Sequence, residues 1–398
     1  MNTPTILLVT SRFPPVTGGS AVVYERLANF SDRQVMILTA RKDCDTGKAF
    51  ELDAAQEAGR PYPVKRITYV RPPERSTFRF SSLYYAYSVF IYLKLLLTVF
   101  SLCRTKGIRH VCAGEVISLG WLTRIPRSIL NARVSIYTHG EELTSKLWSQ
   151  AAEDRRREYL EKSDQVFCVS SFTNGILRTD FGIPEDKIVL LPNGVDTEIF
   201  TPDPRGKEAC QRDAGQFYLV GVGRLIERKG FDTLIRAMAA VRDRLPAAKL
   251  EIIGEGPEKE ALQTLISELG LDGTVVLRGR VDLDDLIAAY RAADLFVMPN
   301  RTLANGDTEG FGLVFLEANA CGLPVIGGRA GGAVDAIVDG VTGYLIDPTD
   351  TDALVGRICG MLSDETARDR LSETALDHAR HNSWARIAER FLEAQGRA

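Results

Sequence analysis

Paired cysteines are the first thing this sequence lacks. Its seven, Cys44, Cys103, Cys112, Cys168, Cys210, Cys321 and Cys359, are odd in number, scattered and never in a C-x-x-C arrangement. That excludes a disulfide framework and a cysteine metal cluster and fits a reducing compartment. Neither G-x-x-x-x-G-K-[ST] nor a well-placed G-x-G-x-x-G occurs, which disfavours P-loop and dinucleotide-binding readings. The opening MNTPTILLVTSRFPP has no cationic segment before its apolar run, and that run is only strand length. No secretion signal is therefore expected. No nucleic-acid-binding module is recognisable, and nucleic acid is not an expected partner.

What is present fits a soluble two-domain chain. At 398 residues the sequence exceeds one ordinary core, and 45% hydrophobic with 25% charged residues is a globular composition. Net charge is −3 but unevenly spread: residues 1–200 carry 26 Lys/Arg against 21 Asp/Glu, the remainder 23 against 31. Between Arg60 and Arg133 there are 13 Lys/Arg and only Glu74 and Glu115 as acids, a candidate surface for something anionic.

The segments TILLVT, QVMILTA, RITYV, IRHVCAG, RVSIYTHG and QVFCVS read as buried strands alternating with helical stretches. A helix is expected from Ala21 to Phe30. Continuous apolar strands with intervening helices predict a parallel sheet covered on both faces. PNGVDTEIFTPDPRGKEACQRDAGQ breaks the rhythm and is read as interdomain chain. The second half restarts it with strands at FYLVGVG, AKLEIIG, TVVLRG, DLFVMPN, LPVIGG and GYLID. The expected organisation is α/β: a doubly wound domain over 1–200, a linker over 201–215, a second doubly wound domain over 216–378, and a helix over 379–398 packing back on the first domain. Ligands of such sheets bind outside the carboxyl ends of the strands, so two domains facing one another are expected to share a cleft.

Glycines cluster at those ends: Gly18 and Gly19, Gly221 and Gly223, Gly254 and Gly256, and Gly327, Gly328, Gly331 and Gly332. Glycine lets backbone N–H groups approach an anion, but the same loops need it for tight turns. In GRLIERKG, Arg224 and Lys229 follow a strand directly and precede a helix near Gly230. Two cations there suit a diphosphate, the alternative being a solvated loop. NGDTEGFGLVFLE sets Glu309 and Glu317 eight positions apart around Phe311. A helix beginning near Phe311 leaves Glu309 before the first turn, where backbone N–H groups point outward, and Glu317 nearly two turns inside. Either Glu317 is solvated or, in the apolar neighbourhood GLVFLEANACGLPV, it needs a hydrogen-bond partner such as ribose hydroxyls. His139, in YTHGEEL, ends a first-domain strand and is either structural or cleft-facing.

PPVTGGS, THGEE, PNGVDTEIF, GVGRLIERKG, IIGEGP, RGRV, MPNRTLANGDTEGFGLVFLEANACGLPVIGG and GGAVDAIVDGVTGYLIDP, in that order, resemble the retaining glycosyltransferases of family four, with the GT-B fold. Glu309 and Glu317 reproduce the family's E-x7-E signature. The MP-x-R-T lead-in and D-x-EG-x-G spacing are most similar to bacterial GDP-mannose-dependent mannosyltransferases such as the phosphatidylinositol mannosyltransferases. The resemblance implies an acceptor-binding first domain and a donor-binding second one. It implies that Arg224 and Lys229 bind the donor diphosphate, that Glu309 contacts hydroxyls of the transferred sugar and that Glu317 binds the ribose. Gly18 and Gly19 would lie near the phosphates, the N–H groups around Phe311, Gly312 and Leu313 would meet sugar and phosphate, and Arg280 and Val281 would border the base. His139 matches the family's cleft histidine.

No metal is implied: Asp282-Leu-Asp284 and Asp350-Thr-Asp352, the two Asp-x-Asp pairs, read as helix N-caps. The expected function is transfer of a hexose, mannose from GDP-mannose, to a lipid-linked or glycan acceptor with an α linkage, domain closure excluding water. The alternatives are a UDP-sugar transferase with a soluble acceptor, an epimerase, and a non-catalytic nucleotide-sugar-binding protein. The most apolar stretch, Ser82 to Gly107, is either a buried helix or one that turns an aromatic face to an anionic membrane. Arg71, Arg75 and Arg79 precede it, and Arg104, Lys106 and Arg109 follow. Residues 71–109 would then place the chain in the cytoplasm, peripheral on the inner face of the cytoplasmic membrane.

Overall fold

A computed structural model describes residues 4–74, 81–203 and 215–397. Arg75, Arg79, Cys210 and most of the expected 201–215 linker lie outside the described residues. The chain forms two compact units, Met1–Leu191 with Trp384–Ala398, and Pro192–Ser383. The division falls before residue 200 because 192–203 packs with the second unit: Arg291 Nε donates to the Thr201 carbonyl at 2.7 Å, and Val195 N to the Asn382 carbonyl at 2.9 Å.

The first unit holds seven parallel strands, β1 (Ile6–Val9), β2 (Val35–Ala40), β3 (Val64–Ile67), β4 (His110–Ala113), β5 (Arg133–Thr138), β6 (Gln165–Cys168) and β7 (Ile188–Leu190), in the order β3-β2-β1-β4-β5-β6-β7. β1 and β2 are buried along their whole length, the reason their sequences read as unbroken apolar runs. Three details depart from the sequence reading. β3 begins at Val64, so RITYV supplies only its last two residues. β7, unforeseen, is a three-residue, half-buried edge strand between polar segments. The first helix, Gly19–Asn29, also starts earlier than Ala21.

The second unit holds six parallel strands, β8 (Phe217–Val222), β9 (Ala248–Ile253), β10 (Val275–Gly279), β11 (Leu295–Met298), β12 (Val325–Gly328) and β13 (Gly343–Ile346), in the order β10-β9-β8-β11-β12-β13. In each sheet the chain winds outward one way from a central strand, then resumes on that strand's other side. The switch points are β1/β4 and β8/β11, where doubly wound sheets open a crevice. The helical C-terminus divides at Asn382 into Glu365–His381 and Trp384–Arg397. The latter joins the first unit through buried Trp384, Ile387 and Phe391, with Gln395 Nε2 donating to Ser135 Oγ at 3.1 Å.

The helix Ser81–Lys106 enters the core along one face and leaves the opposite face exposed. Ile91, Leu95, Val99, Leu102 and Cys103 recur at helical spacing and enter the first unit's core. Phe90, Leu93 and Leu97 stand 58%, 52% and 58% exposed on the other side. The helix is long and apolar enough to cross a membrane, but spanning one would strip its buried face from that core.

Candidate active site

The second unit's site is built from the loops after β8, β11 and β12. After β8, Arg224 is exposed, with no ion-pair partner among the described residues. A 3-10 turn, Glu227–Lys229, then delivers Lys229, nine-tenths buried, to the start of the helix Phe231–Arg244. Lys229 Nζ donates to Glu309 Oε2 at 2.6 Å. Burial alone would push the Glu309 carboxyl up, but the charge and hydrogen bond of Lys229, helped by Arg228 and the Phe311 N–H, hold it below its ordinary value.

The loop that carries Glu309 is lashed to the loop that carries Lys229. Arg228 Nη1 meets both carboxylate oxygens of Asp307 at 2.9 and 3.0 Å, Arg301 N donates to the Arg228 carbonyl at 2.8 Å, and Arg301 Nη1 reaches Asp232 Oδ1 at 2.9 Å. Fully buried Asn300 joins the ends of β11 and β12, giving to the Ala330 carbonyl at 3.0 Å and accepting from Gly328 N at 3.1 Å. Gly332 N donates to the Glu309 carbonyl at 2.7 Å. Gly331 belongs to this close packing: a Cβ there would stand 2.3 Å from that same oxygen, and its φ is +57°.

The helix Leu313–Ala320 starts at Gly312, whose φ of +93° turns the chain so that Glu309 lies just before it. Phe311 is buried. Glu317 is half-buried and accepts from Tyr290 Oη at 3.0 Å, a partner the sequence reading did not anticipate. Arg280, exposed, and Val281, half-buried, follow β10 at the sheet edge, away from the switch point. Gly254 and Gly256 pack the adjoining loop on 223–225, since added Cβ atoms would lie 1.9 Å from the Gly223 carbonyl and 2.3 Å from that of Leu225. Asp282 and Asp350 act as N-caps, accepting from Asp285 N at 2.9 Å and Ala353 N at 2.8 Å.

In the first unit the loop after β1 is fixed by a residue the sequence reading passed over. Glu115, after β4, accepts from Thr10 Oγ1 and Ser11 N at 2.7 Å, Ser11 Oγ at 2.9 Å, Ser118 Oγ at 3.0 Å and Arg12 N at 3.3 Å. Gly18 and Gly19 are exposed at the start of Gly19–Asn29. His139 follows β5; its backbone N donates to the Glu142 carboxylate, and its Nε2 lies 2.8 Å from Tyr24 Oη. Burial brings the His139 imidazole down to about 3 and pushes Glu142 up to about 7, against hydrogen bonds from nearby backbone N–H groups. Arg71, counted among the basic flank, is engaged by Asp45 and by Ser11 Oγ at 3.2 Å. It is therefore a loop brace, not a free cation.

The family models cover both units: "Glycosyltransferase Family 4" matches residues 16–199 and "Glycosyl transferases group 1" residues 205–378. The GDP-mannose-dependent alpha-(1-6)-phosphatidylinositol monomannoside mannosyltransferase of Mycobacterium tuberculosis is 34% identical over 92% of this chain and 90% of its own length. The chain belongs to glycosyltransferase family 4. A Corynebacterium glutamicum relative, the GDP-mannose-dependent monoacylated alpha-(1-6)-phosphatidylinositol monomannoside mannosyltransferase, is 28% identical over 97% of this chain and 96% of its own. Among solved structures, sucrose-phosphate synthase from Thermosynechococcus elongatus aligns over 100% of this chain and 99% of its own with a TM-score of 0.77 at 22% identity. Anabaena HepE, solved with UDP and glucose, aligns over 99% of both with 0.76 at 20%. The fold of this glycosyltransferase is therefore GT-B. Within it the structure joins Lys229 to Glu309, sets Gly312 and Leu313 just after Glu309 in sequence and leaves Arg224 without an ion-pair partner among the described residues. His139, Gly18 and Gly19 belong to the other unit.

Proposed function

We propose that this glycosyltransferase moves mannose from GDP-mannose, with retention of the α configuration, to a lipid-linked acceptor. The observation that carries the reading is the Lys229–Glu309 pair at the β8/β11 switch point, with Arg224, unpaired among the described residues, on the same loop as Lys229. Breaking a sugar–diphosphate bond builds charge on the leaving phosphate. Fixed cations and the first N–H groups of Leu313–Ala320 stabilise that charge more in the transition state than in the ground state. Arg224 grips the diphosphate, Lys229 shares its charge between phosphate and Glu309, and Glu309 orients hydroxyls of the mannose. Glu317, steadied by Tyr290, takes the ribose. The full-length relatives named for GDP-mannose favour that donor over a UDP-sugar.

Because Lys229 holds Glu309 as an anion on hydroxyl duty, the acceptor oxygen attacks from the face the diphosphate leaves. The new C–O bond forms as the old one breaks, and the acceptor proton passes to the departing phosphate. Trapping a covalent glycosyl-enzyme would refute this step. The reaction is proposed to need no metal; activity lost to EDTA and restored by magnesium would overturn that. The lipid acceptor is met at an anionic surface by the exposed Phe90–Leu97 face, with Lys65 and Lys94 beside it and Arg104, Lys106 and Arg109 at its C-terminal end.

The test is product analysis with GDP-mannose, GDP-glucose, UDP-glucose and UDP-galactose, each with and without a bacterial membrane lipid extract. Mannosylated lipid from GDP-mannose alone supports the reading. Turnover only with a UDP-sugar, or only on soluble sugars, contradicts it.

A further inference from the structure

Tyr24 lies on the inner side of the helix Gly19–Asn29, 115 residues from His139 in sequence, and is fully buried. Its hydroxyl donates to the carbonyl of Gly114, at the end of β4. A phenol has one proton and a carbonyl oxygen has none, so that proton is committed. The second neighbour of the same oxygen is His139 Nε2 at 2.8 Å. For that contact to be a hydrogen bond, Nε2 must carry the proton and donate.

The seat for this arrangement is built from both sides. A Cβ on Gly114 would stand 3.0 Å from Tyr24 Cζ, Tyr24 Oη and Thr10 Cβ, so glycine there leaves the hydroxyl its approach. The Tyr24 ring meets those of Tyr137 and His139 edge-on, at 5.7 and 5.2 Å, and the imidazole lies 5.0 Å from Tyr137. With its backbone N held by Glu142, His139 is fixed at both ends. Burial disfavours the imidazolium, so a second proton does not add to Nδ1 in the ordinary pH range.

We infer that Tyr24 is a positioning residue that locks His139 in its Nε2–H tautomer, leaving Nδ1 as a bare acceptor for a sugar hydroxyl of the substrate. Nδ1 has no hydrogen-bond partner among the described residues. The imidazole in this state is neither a cation for phosphate nor a donor to the sugar through Nδ1. Only the owner of the hydroxyl rests on the proposed function; the tautomer does not.

The chain has only four histidines, so long-range proton–nitrogen correlation of the ligand-free protein resolves His139, assigned by its loss in His139→Asn. Expected is a neutral ring protonated at Nε2 across the neutral pH range; an Nδ1–H tautomer or an imidazolium overturns the inference. Tyr24→Phe keeps the ring and removes the hydroxyl, and both tautomers should then appear; an unchanged spectrum overturns the positioning role. In the transfer assay His139→Asn, whose amide oxygen takes the place of Nδ1, should outperform His139→Gln by about tenfold, one hydrogen bond's worth. The reverse order contradicts the acceptor role, whereas inactivity of the unaltered protein with every donor would fault the functional reading and leave the tautomer result standing.

Discussion

Replacing Lys229 by methionine tests the electrostatics of the site without assuming a substrate. The Lys229 and Glu309 side chains are only 11% and 13% exposed, so removing the ammonium leaves a buried carboxylate unpaired. Breaking such a pair costs about 3–5 kcal/mol. The lower end applies here, because Arg228 still contributes favourable charge. In the intact protein the Glu309 pKa is depressed on folding, so its contribution is present above the unfolded value and is lost only as pH falls through the folded one. Without Lys229 the burial penalty is unopposed and the sign reverses: the folded state holds a proton that the unfolded state releases, and stability falls as pH rises. Near pH 8 the second unit should melt roughly 6–12 °C lower, and near pH 5 most of that loss should disappear. All three tryptophans, Trp121, Trp148 and Trp384, belong to the first unit, so calorimetry is the suitable probe. Adding Glu309→Gln should restore much of the loss near neutral pH. An equal drop at both pH values, or none, would refute the argument.

Three further outcomes follow from single contacts. Tyr137 Oη is buried with no hydrogen-bond partner among the described residues while its ring stacks on Phe167 at 5.8 Å; Tyr137→Phe should therefore be neutral or stabilise by about 1 kcal/mol in urea unfolding, and a clear loss would reveal a partner. Asp307→Asn frees Arg228 and loosens the loop that positions Glu309, so kcat/KM should fall by about 10- to 100-fold while the melting temperature moves by only a few degrees. Glu142, raised to about 7 by burial, stabilises the fold below its unfolded pKa and loses that contribution as pH rises toward 7. Glu142→Gln should flatten the decline in stability between about pH 4.5 and 7, and an unchanged slope would place the titration elsewhere.

The architecture was legible because parallel strands covered on both faces leave continuous apolar runs, as at β1 and β2. β7 was not, because three half-buried residues at a sheet edge carry no such run. The site was legible where chemistry and spacing coincide in sequence: Lys229 ends a strand–turn segment, and Glu309 precedes a glycine-opened helix. What escaped notice is paired across long separations. Glu115 reaches back 104 residues to Ser11, Tyr24 meets His139 from another element, Asp307 finds Arg228 across 79 residues, and Tyr290 comes from a neighbouring helix to Glu317. Arg228 adjoins Lys229 and Asp307 lies two residues before Glu309, and those unexplained charges were the available signal. The basic flank misled at Arg71, because a count of cations does not see Asp45.

The most direct test of the account is the affinity of GDP for the intact chain and for Arg224→Ala, measured by titration calorimetry alongside guanosine. If Arg224 grips the diphosphate, GDP should bind about 10- to 100-fold more weakly to the variant, the worth of charge-assisted hydrogen bonds, and guanosine equally to both. Equal GDP affinity for the two proteins would contradict the account.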